Sequence, residues 1–219
     1  MKTYHEVRAE SFNQNTNSTD ANVLNGTLTV TGAITATGGV VGAVTGAVTG
    51  TVTGDLSGAA MATAVPAGAG TLITSIITKT GKSILTQIFA DIQGLQSSTT
   101  DLDIIGTGAT AAYIGKILTA ESGQIYAGKM TCLEAPTTGV TDIDLYYATE
   151  ATGVFDAGIG TLAETIVVTS GAAWTLNRTA TATGWPAANS YLYLCGGAAG
   201  TVGTYAAGQF LIEFWGYEA

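Results

Sequence analysis

GQFLIEFWGY, residues 208–217, has the period of a β-strand and is apolar on both parities. Phe210, Ile212 and Phe214 share one face, while Leu211, Glu213 and Trp215 share the other. A strand at the surface of a sheet turns a polar row toward water. One with two apolar rows is expected at the centre of a sheet or at a contact between subunits. Phe210, Ile212 and Phe214 are therefore candidate trimer contacts, and the domain that closes on them is expected to be all-β.

The segments upstream fit the same class. Runs rich in Val, Ile, Thr and Tyr, separated by Gly-, Thr- and Asp-rich turns, predict strands over residues 113–119, 124–133, 140–147, 162–169 and 191–195. In 140–147, Ile143, Leu145 and Tyr147 oppose Asp142, Asp144 and Tyr146, the pattern of a half-buried strand. Six to eight such strands over residues 95–219 predict an antiparallel β-sandwich, jelly-roll-like in topology. Residues 59–94 read as a linker punctuated by Pro66, Gly68 and Gly70, with a short strand over 71–78. One short helix is predicted over 82–93, because Ile84, Leu85, Ile88, Phe89 and Ile92 recur at helical spacing between Ser83 as cap and Gly94 as stop.

Ahead of this domain lies a repeat, residues 25–58, NGTLTVTGAITATGGVVGAVTGAVTGTVTGDLSG. Glycine falls at 26, 32 and 38 and then at 42, 46, 50, 54 and 58, with Val44, Val48, Val52 and Leu56 in step. The segment is too glycine-rich and β-branched for a helix, and one copy of so short a unit cannot bury its own apolar residues. Extended, it would reach about 100 Å and expose two unpaired edges. Three copies wound about a common axis would pair those edges, with glycine allowing close approach and the valines filling the centre. Val44, Val48, Val52 and Leu56 are the candidate trimer contacts of this extended Gly/Val/Thr arm; a flexible low-complexity linker is the alternative. Residues 1–24 form a polar arm whose sizeable apolar side chains are Tyr4, Val7 and Phe12, the expected anchors on a partner.

Composition narrows the function classes. Of 219 residues only 11% are charged, well under the roughly 25% of an ordinary soluble domain, so much of the surface is neutral, as in an assembly component. Seven Lys and Arg against 16 Asp and Glu leave a net charge of −9, which offers no basic surface for phosphates; no nucleic-acid partner is expected. Residues 21–54 carry no charge, but glycine at every fourth position keeps them too weakly apolar for a membrane span. The first twenty residues include Lys2, Glu6, Arg8, Glu10 and Asp20 with no apolar stretch, so no secretory signal is expected. Cys132 and Cys195 lie in apolar strand-like runs and read as two buried, reduced thiols.

Chemistry is sparse. The single histidine, His5, sits in the polar arm, which leaves no Ser-His or Cys-His dyad, and no catalytic residue or cofactor is expected. Thr80 to Ser83, TGKS, resembles the end of a phosphate-binding loop, but Ile76 stands where that pattern needs glycine. Asp101 with Asp103, Asp142 with Asp144, and Asp156 suit either a calcium site or a solvated edge. Trp174 and Trp215 read as packing groups. Trp185, before Pro186 in a Gly-rich loop, and Tyr205 are candidate contacts for a receptor or a neighbouring subunit.

The GxVTG-type repeats resemble those of phage fibre and decoration proteins. The run TDIDLYYATEATGVFDAG, with TSGAAWTLNRT and ANSYLYLCGGAAGTVGTYAAGQFLIEFWGY after it, is similar to a β-sandwich module of tailed-phage virion proteins. In such proteins the module trimerises and an extended N-terminal part attaches to capsid or tail. The resemblance implies a virion structural protein made in the bacterial host cytoplasm: a homotrimeric capsid decoration (cement) or head-fibre protein on the capsid surface. The major capsid protein would be its partner, gripped through Tyr4, Val7 and Phe12. A receptor-binding tail fibre that recognises host glycan is the alternative.

Overall fold

The computed structural model describes residues 56–218. Tyr4, His5, Val7, Phe12, Val44, Val48, Val52 and the rest of the arm and repeat to residue 55 lie outside the described residues. Leu56 opens the first described strand.

In chain order the strands are β1 (Leu56–Ala59), β2 (Ile73–Thr80), β3 (Ser83–Asp91), β4 (Gln96–Ser97), β5 (Gly115–Lys116), β6 (Gln124–Thr137), β7 (Ile143–Ala148), β8 (Glu164–Val168), β9 (Thr179–Thr181), β10 (Tyr191–Gly196), β11 (Gly203–Thr204) and β12 (Ala207–Tyr217). One sheet has the order β1-β2-β3-β12-β6-β9 and the other β5-β10-β7-β8, while β4 and β11 form a short ladder of their own. Every pairing is antiparallel. With the β1–β2 extension and the β4–β11 ladder set aside, the remaining strands nest. The first pairs with the last (β3 with β12), the second with the seventh (β5 with β10), the third with the sixth (β6 with β9) and the fourth with the fifth (β7 with β8). One long hairpin rolled into two sheets gives this order, and it is the jelly roll.

The two sheets meet through one cluster. Ile84 and Ile88 of β3, Met130 and Cys132 of β6 and Phe210, Ile212 and Phe214 of β12 pack with Leu145 of β7, Val167 of β8 and Leu192 and Leu194 of β10. Each side chain so buried is worth roughly 1.5–3 kcal/mol. Phe210, Ile212 and Phe214 are at most 1% exposed within the single chain, so they are core residues and cannot serve as trimer contacts. The central position expected for their strand is the one observed: β12 lies between β3 and β6.

The helix expected over 82–93 is a strand, β3. Ile84, Thr86, Ile88, Ala90 and Ile92 are all buried, a strict period of two, and Leu85, Gln87, Phe89 and Asp91 lie on the opposite face. Because Leu85 and Phe89 are apolar as well, the same residues also satisfy a helical spacing, and pairing with β2 and β12 decides between the two. The phosphate-loop-like TGKS is the β2–β3 turn: Thr80 pairs with Ser83 across Gly81 and Lys82. Gly81 has φ +57, as the first central residue of a two-residue II′ hairpin turn requires. Residues 59–94 are therefore part of the sandwich sheet rather than a linker ahead of it, and Gly68, expected as hinge punctuation, is buried against the backbone of Thr110 and Ala111.

Candidate functional site

The outer faces of the two sheets differ. On the four-stranded sheet, Tyr146, Ala148, Tyr193 and Cys195 are roofed by the chain's own loops, through Ile104, Ala112 and Ile159, in a second buried cluster. Short bridges hold those loops down, Ile104 to Cys195, Asp103 to Gly158 and Ala111 to Val154. The six-stranded sheet carries no such roof among the described residues. Its outer rows run Thr74, Phe89, Leu211, Thr131; then Ile76, Gln87, Glu213, Lys129; then Thr78, Leu85, Trp215, Ala127. Leu72, Ile76, Leu133, Tyr126 and Tyr217 are exposed, and Leu85, Phe89, Leu211 and Trp215 are half-buried. Between Leu72, Phe89 and Leu133 lies a depression of about 160 Å³.

The centre of this face is electrically neutral by construction. Glu213 accepts from Gln87 Nε2 at 3.1 Å and pairs with Lys129 Nζ at 2.9 Å, and the same ammonium stands 5.5 Å from the centre of the Trp215 ring. A carboxylate on an apolar sheet is tolerated because both oxygens have partners.

The second surface is the loop around Trp185. This indole is 43% exposed, while Pro186 beside it is buried and lines a cleft of about 230 Å³ together with Ile117, Thr119, Gly123, Gln124, Ile125 and Ala188. Tyr205, expected as a companion contact, is 1% exposed. Its hydroxyl donates to the Val140 carbonyl at 2.8 Å, and burial pushes its pKa well up. Tyr205 is thus a core residue that ties β11 to the β6–β7 connection, and the loop-contact expectation is corrected to Trp185 without it. Trp174 is buried as expected, edge-on to Phe210 at 5.4 Å, with Nε1 donating to the Ile143 carbonyl at 2.8 Å.

Both cysteines are buried and free, and burial raises both thiol pKa values. Of the aspartates, Asp103 and Asp144 are buried rather than on a solvated edge. Asp144 accepts from the Ser170 backbone N–H at 2.6 Å; burial, with the neighbouring Asp142 and Asp101 charges, raises its pKa against that bond. Among the described residues no group of three or more His, Cys, Asp or Glu has the arrangement to hold a metal ion.

What sequence reasoning missed is the outer face itself. Leu211 and Trp215 were visible as an apolar row, but Leu85 and Phe89 join them only once β3 is a strand in register with β12. Set against family models, curated proteins and solved structures, the chain has no match, so its resemblance to phage virion proteins rests on its own residues.

Proposed function

We propose that the chain is a structural protein of a tailed-phage particle, a homotrimeric capsid decoration or head-fibre protein that grips capsid subunits through its N-terminal arm and displays the jelly roll as a knob. One observation carries the reading. The Gly/Val/Thr repeat runs without a spacer into Leu56, the first residue of edge strand β1, so an arm that needs partners is joined directly to a folded module. By analogy of fold alone, jelly rolls recur in viral capsid and lectin domains. The low charge and the apolar outer sheet face add to the picture of a surface made for contact. Val44, Val48 and Val52 would form the trimer seam and Tyr4, Val7 and Phe12 the anchors on the major capsid protein. Three linked arms gain avidity on the order of 100-fold or more over one when the geometry allows.

The exposed Trp185 beside a cleft bearing Thr119 and Gln124 favours a second reading, a receptor-binding fibre that stacks a sugar on the indole. The two readings part on location, capsid surface against tail, and the arm tests attachment to the particle. Removing residues 1–55 leaves every described strand in place; the decoration reading predicts loss of particle binding with the β-rich circular dichroism unchanged. Undiminished binding of the truncated chain to particles would contradict it.

A further inference from the structure

We propose that the outer face of the six-stranded sheet is a homomeric contact, occupied in the assembled protein by a second copy of this chain. The inference rests on the homomeric part of the reading above. Three observations carry it.

The first is the asymmetry of the sandwich. The chain covers the outer face of its four-stranded sheet with its own loops, and among the described residues gives the six-stranded sheet nothing comparable. From strand spacing and rise, the area over β2, β3, β12 and β6 is on the order of 600 Å². Polar and apolar positions together, that is close to the ~800 Å² that each partner gives to a standard interface.

The second is charge. A chain of net charge −9 repels its own copies unless they meet where no net charge is present. The centre of the outer face meets that condition, since Glu213 is paired with Lys129 and bonded by Gln87; at the rim of the face Asp91 accepts from Gln209 Nε2 at 3.0 Å. A basic partner would find no row of carboxylates to engage there, whereas a copy of the chain, only 11% charged, can lay a neutral surface against Leu85, Phe89, Leu211 and Trp215. Aromatic groups and depletion of unpaired charge are what the centre of a protein contact shows.

The third is attachment. β1 is an edge strand of this same sheet and follows directly on the repeat. Copies joined through their repeats would hold their jelly rolls at a high effective concentration, which strengthens a contact through this face.

The test uses the full chain. Wild type is sedimented over a dilution series from micromolar concentration, with carbene footprinting at each step, beside Leu211→Lys on the face and Val48→Asp in the repeat. The proposal expects wild type to sediment as a multiple of 22.0 kDa, with Leu72, Phe89 and Leu133 unlabelled until dilution lowers the mass. It expects Leu211→Lys to associate at least about tenfold more weakly with an unaltered melting profile, a loss of ~1.4 kcal/mol. Should Leu211→Lys fail to fold, the wild-type footprint decides alone. Association of Leu211→Lys at wild-type strength, with Val48→Asp dissociated, would overturn the face contact and leave the homomeric reading standing through the repeat. A monomeric wild type with the face fully labelled would overturn both. A face protected at every dilution in a monomer would assign it to residues 1–55 of the same chain and overturn the proposal.

Discussion

Tyr205 shows how a residue suited to a surface by composition becomes structural by contact. Its ring lies so close to Gly139 that a Cβ there would stand 2.6 Å from Cε1 and 2.9 Å from Ser97 Oγ. Gly139→Ala must push a buried aromatic out of place, and is expected to cost about 1–3 kcal/mol, read in urea unfolding as a lowered midpoint with an unchanged slope. Asp144 gives a prediction of opposite sign. Its folded pKa is raised above the ordinary value of 3.8 by burial, so the native state holds this proton more tightly than the unfolded chain does. Its contribution to stability is fully present below 3.8 and is lost as pH rises through the raised value. Asp144→Asn keeps an acceptor for the Ser170 N–H and removes the charge. Relative to wild type it should gain stability progressively as pH climbs from 3.8, and a difference that does not change with pH would contradict the assignment.

At the scale of the element, β3 and β12 show what the residues declare and what they conceal. The two apolar parities of β12 left two places open, the centre of a sheet or a subunit contact, and burial of Phe210, Ile212 and Phe214 within one chain decides for the first. In β3 the same double-sided apolarity misled, since Ile84, Leu85, Ile88, Phe89 and Ile92 fit a helical stripe as well as two faces of a strand. The arbiter was pairing: the Gly81-Lys82 hairpin turn sets β3 against β2, and β12 takes its other edge. A Cβ at Gly81 meets nothing within 4 Å, yet its φ is +57. Gly81→Ala is therefore expected to cost about 1–2 kcal/mol through backbone strain alone, with Gly81→Asn costing less; equal stability of all three in thermal melts would count against the turn. The strands around β12 were legible because turn residues bracket short β-branched runs. Tyr205 was not, since nothing in AAGTVGTYAAG distinguishes a loop tip from a chain segment pinned under Val140.

At the scale of the molecule, a jelly roll whose four-stranded sheet is covered by its own loops follows a Gly/Val/Thr repeat that is proposed to pair with its own copies. Low charge and the pairing of Glu213 with Lys129 are what the proposed contact between copies of the chain rests on. The candidate site was only half legible: Trp185 announced itself as an aromatic beside proline in a glycine-rich loop, whereas the outer sheet face exists only through register. The proposed place of this protein is the head of a virus particle, and the location of the chain decides it. Electron microscopy of intact particles labelled with antibody against the jelly roll should show label distributed over the capsid surface. Label confined to the tail tip, or absent from intact particles, would contradict it.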